Sequence, residues 1–108
     1  MIYKFKSKSC GDLVMLQPNG QRILALIGKD DHAASGIVLP SQMAAAIAKL
    51  EAAVIQEELS HQKLRQQAES RDEPAPRFEA ISLRQRSLPF LDMLRRSLRE
   101  DQEIVWGV

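Results

Sequence analysis

A chain of 108 residues with 44% apolar and 27% charged residues has the size and balance of one globular domain, residues 1–108, able to bury a core without disulfides or a structural metal. A net charge of +1 excludes the overall basic excess that announces a nucleic-acid or membrane-surface partner, so any charged site has to be a local patch. Cys10 is the single cysteine, which rules out an intrachain disulfide or a thiolate cage; together with a first segment that lacks the apolar core of a leader, it leads us to expect a reducing, cytoplasmic setting.

Tyr3 and Phe5 alternate with Lys4, Lys6 and Lys8, a period of two that predicts a strand with aromatics on one face and ammonium groups on the other. Gly11-Asp12 interrupts the run, and Leu13-Val14-Met15-Leu16, ending at Pro18-Asn19-Gly20, predicts a second strand. Asn19-Gly20 is also a hairpin signal, but Ile23, Leu24 and Ile27 recur at helical spacing between Asn19 as a cap and Gly28-Lys29 as a stop. A short helix from about Gly20 to Ile27 is therefore expected in place of a third strand. Asp30 to Gly36 reads as a polar loop, and Gly36 to Pro40 as an extended connection, because the residue before a proline avoids the helical region.

Ser41 is expected to cap a long helix. Met43, Ile47, Leu50, Val54, Glu57, His61, Leu64 and Ala68 follow at alternating spacings of four and three, which aligns them into one seam, apolar in its first half and mixed in its second. Beyond about Leu59 the helix is nearly all polar and is expected to project into solvent. Residues 69–80, with Pro74 and Pro76, read as an internal linker. Ser82 with Gln85 makes a capping box, and Leu83, Phe90, Leu91, Leu94 and Leu98 form the apolar face of a last helix that ends near Glu100. Pro89 inside it predicts a kink near Gln85 or a restart after Ser87. Ile104, Trp106 and Val108 alternate with Val105 and Gly107, giving a terminal strand able to pair with the first. The sum is an α+β domain: a sheet of about three strands, two N-terminal and one C-terminal, covered by about three helices, one long and partly projecting.

The local signatures Phe5-Lys6-Ser7-Lys8, Gly11-Asp12-Leu13-Val14-Met15-Leu16, Ile27-Gly28-Lys29, Ile81-Ser82-Leu83 with Pro89 and Met93-Leu94, and Ile104-Val105-Trp106-Gly107 resemble a family of short bacterial proteins catalogued as a domain of unknown function. The resemblance spans the chain except residues 60–77. It implies a strand-strand-helix, helix-helix-strand order in a bacterial cytoplasmic protein, and it implies no active site.

Reactive chemistry is sparse. His32 beside Asp30 and Asp31 has the residue types of a base with its orienting carboxylates, but no serine sits on a nucleophile elbow, so an enzyme with an atypical site there is the weakest of three readings. Glu57 and His61 lie one helical turn apart and offer two ligands; a tetrahedral ion would need a second copy of the chain, and an exposed helix pair is the plainer expectation. Cys10 reads as an unreactive thiol beside a turn. No catalytic residue, cofactor or metal is expected, nor a membrane.

Arg84, Arg95, Arg96 and Arg99 share one stripe of the last helix, where their forks suit carboxylates or phosphates, although Asp92 and Glu100 are placed to neutralise part of it. With Lys4, Lys6 and Lys8 they supply the second reading, a nucleic-acid accessory protein; no aromatic interleaves with them to stack bases. The leading reading is a non-catalytic protein-interaction module, with homodimerisation as one form of it. Its contacts would run along the arginine stripe or along the far part of the long helix, where Val54, Leu59 and Leu64 are expected to have little of their own domain to bury them.

Overall fold

A computed structural model describes residues 2–30 and 33–107. Strands β1 (Ile2–Ser7) and β2 (Cys10–Leu16) lead directly into helix α1 (Gln17–Leu26); after a loop come strand β3 (Gly36–Val38), helices α2 (Pro40–Ser70) and α3 (Leu83–Arg99), and strand β4 (Ile104–Trp106). The architecture is α+β, with four strands in the order β2-β1-β4-β3, every neighbouring pair antiparallel.

The terminal strand pairs with the first as expected, Phe5 opposite Trp106 and Ser7 opposite Ile104. Residues 36–38, expected as a connection, are instead a strand on the far side of β4, with Gly36 opposite Trp106 and Val38 opposite Ile104. Three residues are too few to display a period of two, so their pairing is set by the tertiary partner and not by local pattern.

Register divides the sheet cleanly into two faces. Phe5, Leu13, Trp106, Ser7, Ile104 and Val38 point inward; Phe5, Trp106, Ile104 and Val38 are buried. Phe5 meets Phe90 of α3 edge-on at 4.9 Å and the Trp106 ring at 5.7 Å, arrangements that favour aromatic quadrupoles. Helices α1 and α3 lie against this face and α2 packs across both. Ile2, Lys4, Val14, Leu16 and Ile37 occupy the opposite face and are exposed.

Helix starts differ from expectation for a steric reason. Prolines are accommodated in a first helical turn because the missing N–H had no intrahelical partner there. Helix α1 accordingly begins at Gln17 with Pro18 in its first turn, and Asn19 lies inside it instead of capping it; α2 begins at Pro40 with Leu39 at the cap position, one residue ahead of Ser41. The Gln42 carboxamide reaches back to accept the Leu39 N–H at 3.0 Å. For α3 the capping box is as read: Ser82 Oγ accepts from the Gln85 N–H at 3.2 Å and Gln85 Oε1 accepts from the Ser82 N–H at 2.9 Å. Its helix passes unbroken through Pro89, with no restart after Ser87. The carbonyl that Pro89 deprives of a partner belongs to exposed Gln85, so water can serve it.

All three helices end in the same way. The residue after the cap has positive φ (Gly28 at 85°, Asp72 at 52°, Asp101 at 55°), and the next N–H returns to the carbonyl five residues back, Lys29 to Leu24, Glu73 to Ala68 and Gln102 to Ser97. The turn at Asp72 reverses the chain, so that Phe78 stacks on His61 at 3.7 Å and Pro74 and Pro76 line a hollow with Leu64 and Ala68. Helix α2 thus extends farther than its apolar seam, but residues 71–82 run back along its polar half and bury Ala68.

Gly36 shows how tightly β3 is bound into the core: a Cβ there would stand 2.2 Å from Cζ2 of Trp106. Gly36→Ala is expected to displace the indole and cost about 1–3 kcal/mol by overpacking. Urea denaturation of the two proteins, followed by circular dichroism, checks this; an unchanged midpoint would show that Trp106 has room to move.

Candidate protein-interaction face

Three helices meet at Glu57. Its Oε2 accepts the backbone N–H of Leu83, the first residue of α3, at 2.9 Å, and its Oε1 accepts from Arg22 Nη2 of α1 at 3.1 Å. A carboxylate at a helix N-terminus satisfies an otherwise unpartnered donor and meets the positive end of the helix dipole. Burial pulls the Glu57 carboxyl upward, but the Leu83 N–H, the Arg22 guanidinium and nearby His61 outweigh it and hold the group below its ordinary value of 4.5. Glu57 is therefore not part of an exposed helix pair; it anchors α3. His61 is spent on Phe78, whose other neighbour is the Arg65 guanidinium, 5.2 Å from the ring centroid. Among the described residues no group of three metal-ligating side chains occurs.

Arg86 belongs to the same corner. It donates to Asn19 Oδ1 of α1 and to the Ile81 carbonyl at 3.4 Å, and lies 3.7 Å from Glu79. Neither Asn19 nor Glu57 reveals these partners in sequence, because each is more than twenty residues away from the group it binds.

From this corner α2 and α3 run antiparallel, and their outer side carries a ladder. Arg84 grips Glu58 with two bonds of 2.8 and 2.7 Å, and Arg95 bonds Glu51 at 2.7 Å. The paired charges favour each other's ionised form: the Arg84 hydrogen bond holds the Glu58 carboxyl below its ordinary value, and Arg84 itself is raised. Arg95 thus pairs across helices and not with Asp92 on its own, while Arg96 and Arg99 make no ion pair with described residues. Between the two rungs lies a groove of about 120 Å³ lined by Val54, Ile55, Leu88 and Leu91 and closed at its ends by the ion pairs.

Val54, expected to lack cover, is buried at the floor of this groove. Its neighbours are not: Ile55 is 52% exposed, Leu59 55% and Leu88 45%. Ala44, Ala48 and Ala52 extend the same exposed, uncharged stripe along α2, at helical spacing from Ile55. This apolar stripe was missed in sequence because alanine carries little weight in a hydrophobic seam, although the four-residue repeat was there to find. Leu64, also half-exposed, turns toward the returning segment and lies outside the patch.

The other sequence-derived candidates are dispersed. Lys4 lies on the sheet face opposite the one that α3 covers, away from the arginine stripe. Asp31 and His32 lie outside the described residues. Cys10 is half-buried against the core beside a ring of three hydroxyls, Ser7, Ser9 and Ser97, bonded at 2.9, 3.1 and 2.9 Å, in which each can donate one bond and accept one.

The model of the family described as Domain of unknown function (DUF1840) matches residues 1–106. The chain belongs to that family. The match covers both ends of the sheet and every helix, so the family's domain is the whole four-stranded unit with its long α2. No curated protein and no solved structure matches the chain. No helix of the described residues is long and apolar enough to cross a membrane.

Because the Glu57 carboxyl is depressed in the folded state, its contribution is complete above the unfolded value of 4.5 and is lost as pH falls through the lower folded value. Glu57→Gln is expected to cost about 1 kcal/mol at neutral pH and to flatten the fall in stability below pH 4.5. Denaturant titrations between pH 7 and 3 decide the matter; parallel curves for the two proteins would assign the corner no such role.

Proposed function

We propose that this chain is a non-catalytic protein-interaction module that docks through the outer side of the α2/α3 pair. The observation that carries the reading is the patch of Ile55, Leu59 and Leu88, three aliphatic side chains each about half exposed, with Ile55 and Leu88 between the Glu51–Arg95 and Glu58–Arg84 pairs and Leu59 just beyond the latter. An apolar centre with a polar rim is the anatomy of a contact surface. Exposed ion pairs stabilise a fold little, so a rim built from two of them serves orientation better than stability.

We prefer this reading to a nucleic-acid accessory role because Arg84 and Arg95 already hold carboxylates, leaving Arg96 and Arg99 beside Asp92 as the local excess of charge. Its single cysteine suits a reducing compartment, which we take to be the bacterial cytoplasm.

A photo-crosslinking side chain at position 55, irradiated in cells, is expected to give a discrete adduct. Absence of any adduct at position 55 would remove the module reading.

A further inference from the structure

We propose that the partner received by this face is a second copy of the chain, packed about a two-fold axis that runs parallel to α2 and α3, so that α2 of each copy lies over α3 of the other. The proposal rests on the interaction-module reading and adds to it an occupant and a geometry.

Charge placement carries the argument. In the two ion pairs that bound the groove the acids stand on α2 (Glu51, Glu58) and the arginines on α3 (Arg95, Arg84), one rung at each end; exposed Asp92 is the acid that α3 adds to this side. Two flat faces brought together by a two-fold must share an axis lying in the plane between them, and only two such axes respect the helix directions. If the axis crosses the helices, α2 lies over α2 reversed: Glu51 faces the partner's Glu58, and Arg95 faces the partner's Arg84. Both contacts are between like charges. If the axis runs along the helices, each rung keeps its level while acid and base exchange sides. Glu51 then faces the partner's Arg95, Glu58 faces the partner's Arg84, and Ile55 meets the partner's Leu88 in the dry centre. Each of these carboxylates, already held by one arginine, gains a second, so neither rung is left unpaired on closing. A surface whose two rungs both carry the acid on α2 and the arginine on α3 is complementary to itself at those rungs under this one operation.

Size sets the expected strength. From Ala44 to Leu59 the stripe is about 22 Å long, and two helices side by side are about 20 Å wide. That is roughly half of the ~800 Å² that a standard stable interface takes from each partner. Alanines at positions 44, 48 and 52 allow close backbone approach, but the dimer is a reversible one, with dissociation in roughly the micromolar range.

The experiment exchanges the signs. A variant carrying Glu51→Arg, Glu58→Arg, Arg84→Glu and Arg95→Glu keeps both internal rungs and the net charge. Sedimentation equilibrium of each protein alone is expected to show dimers. In an equimolar mixture of the two, distinguished by isotopic mass in native mass spectrometry, mixed dimers should fall about tenfold below the statistical share, because like charges then face each other at all four contacts. Mixed dimers at or above the statistical share would overturn the geometry, since the crossed axis predicts their enrichment. Should the fourfold variant fail to fold, Ile55→Asp on the half-exposed patch serves instead: dissociation into folded monomers is expected, and retention of dimers would overturn the proposal. A natural chain that stays monomeric to high concentration also overturns it. If position 55 then crosslinks in cells to a different protein, the module reading stands and self-association alone has failed.

Discussion

Strand β4 is the constraint on which the remainder of the molecule depends. It is three residues long, yet it is the only described strand bonded to both β1 and β3, so the N-terminal hairpin and the segment that launches α2 share one sheet because Ile104, Val105 and Trp106 stand between them. Pairing across almost the entire chain carries a large loop-closure cost, and residues with buried side chains on both neighbours are needed to recover it. Phe5, Ile104, Val38 and Trp106 supply that burial.

Once the sheet is closed, the helices have a single apolar surface to cover, and the long α2 cannot lie wholly upon it. Its first half shares the core through Met43, Ala46 and Leu50; its second half is clasped by the returning segment. The Glu57 corner fixes where α3 starts, and with that it fixes the level at which each arginine of α3 meets an acid of α2. The groove and its charged rim are consequences of a cap placed on the inner side of the same helix pair.

Much of this was legible in the sequence. The alternation of Tyr3 and Phe5 with lysines, the Ser82–Gln85 box and the Gly28 stop each encode their structure within a few residues, and each is found where it was read. Features set by distant partners were not legible. Gly36–Val38 is a strand only because Trp106 is opposite it; Asn19 looks like a cap but bonds Arg86; and Glu57, readable as half of an ion site with His61, caps Leu83 instead. The arginine stripe was visible at helical spacing, but its acidic partners on α2 lay 26 and 44 residues away, beyond any local pattern.

The burial of Trp106 has a spectroscopic corollary. It is the sole tryptophan, 2% exposed, with Phe5 from one end of the fold beside it and an indole N–H that meets no acceptor among the described residues. Its emission therefore originates from one buried site that exists only while hairpin, middle strand and terminus are joined. A single optical signal, needing no label, distinguishes chains in which that junction is closed from collapsed ones in which the helices have formed without it.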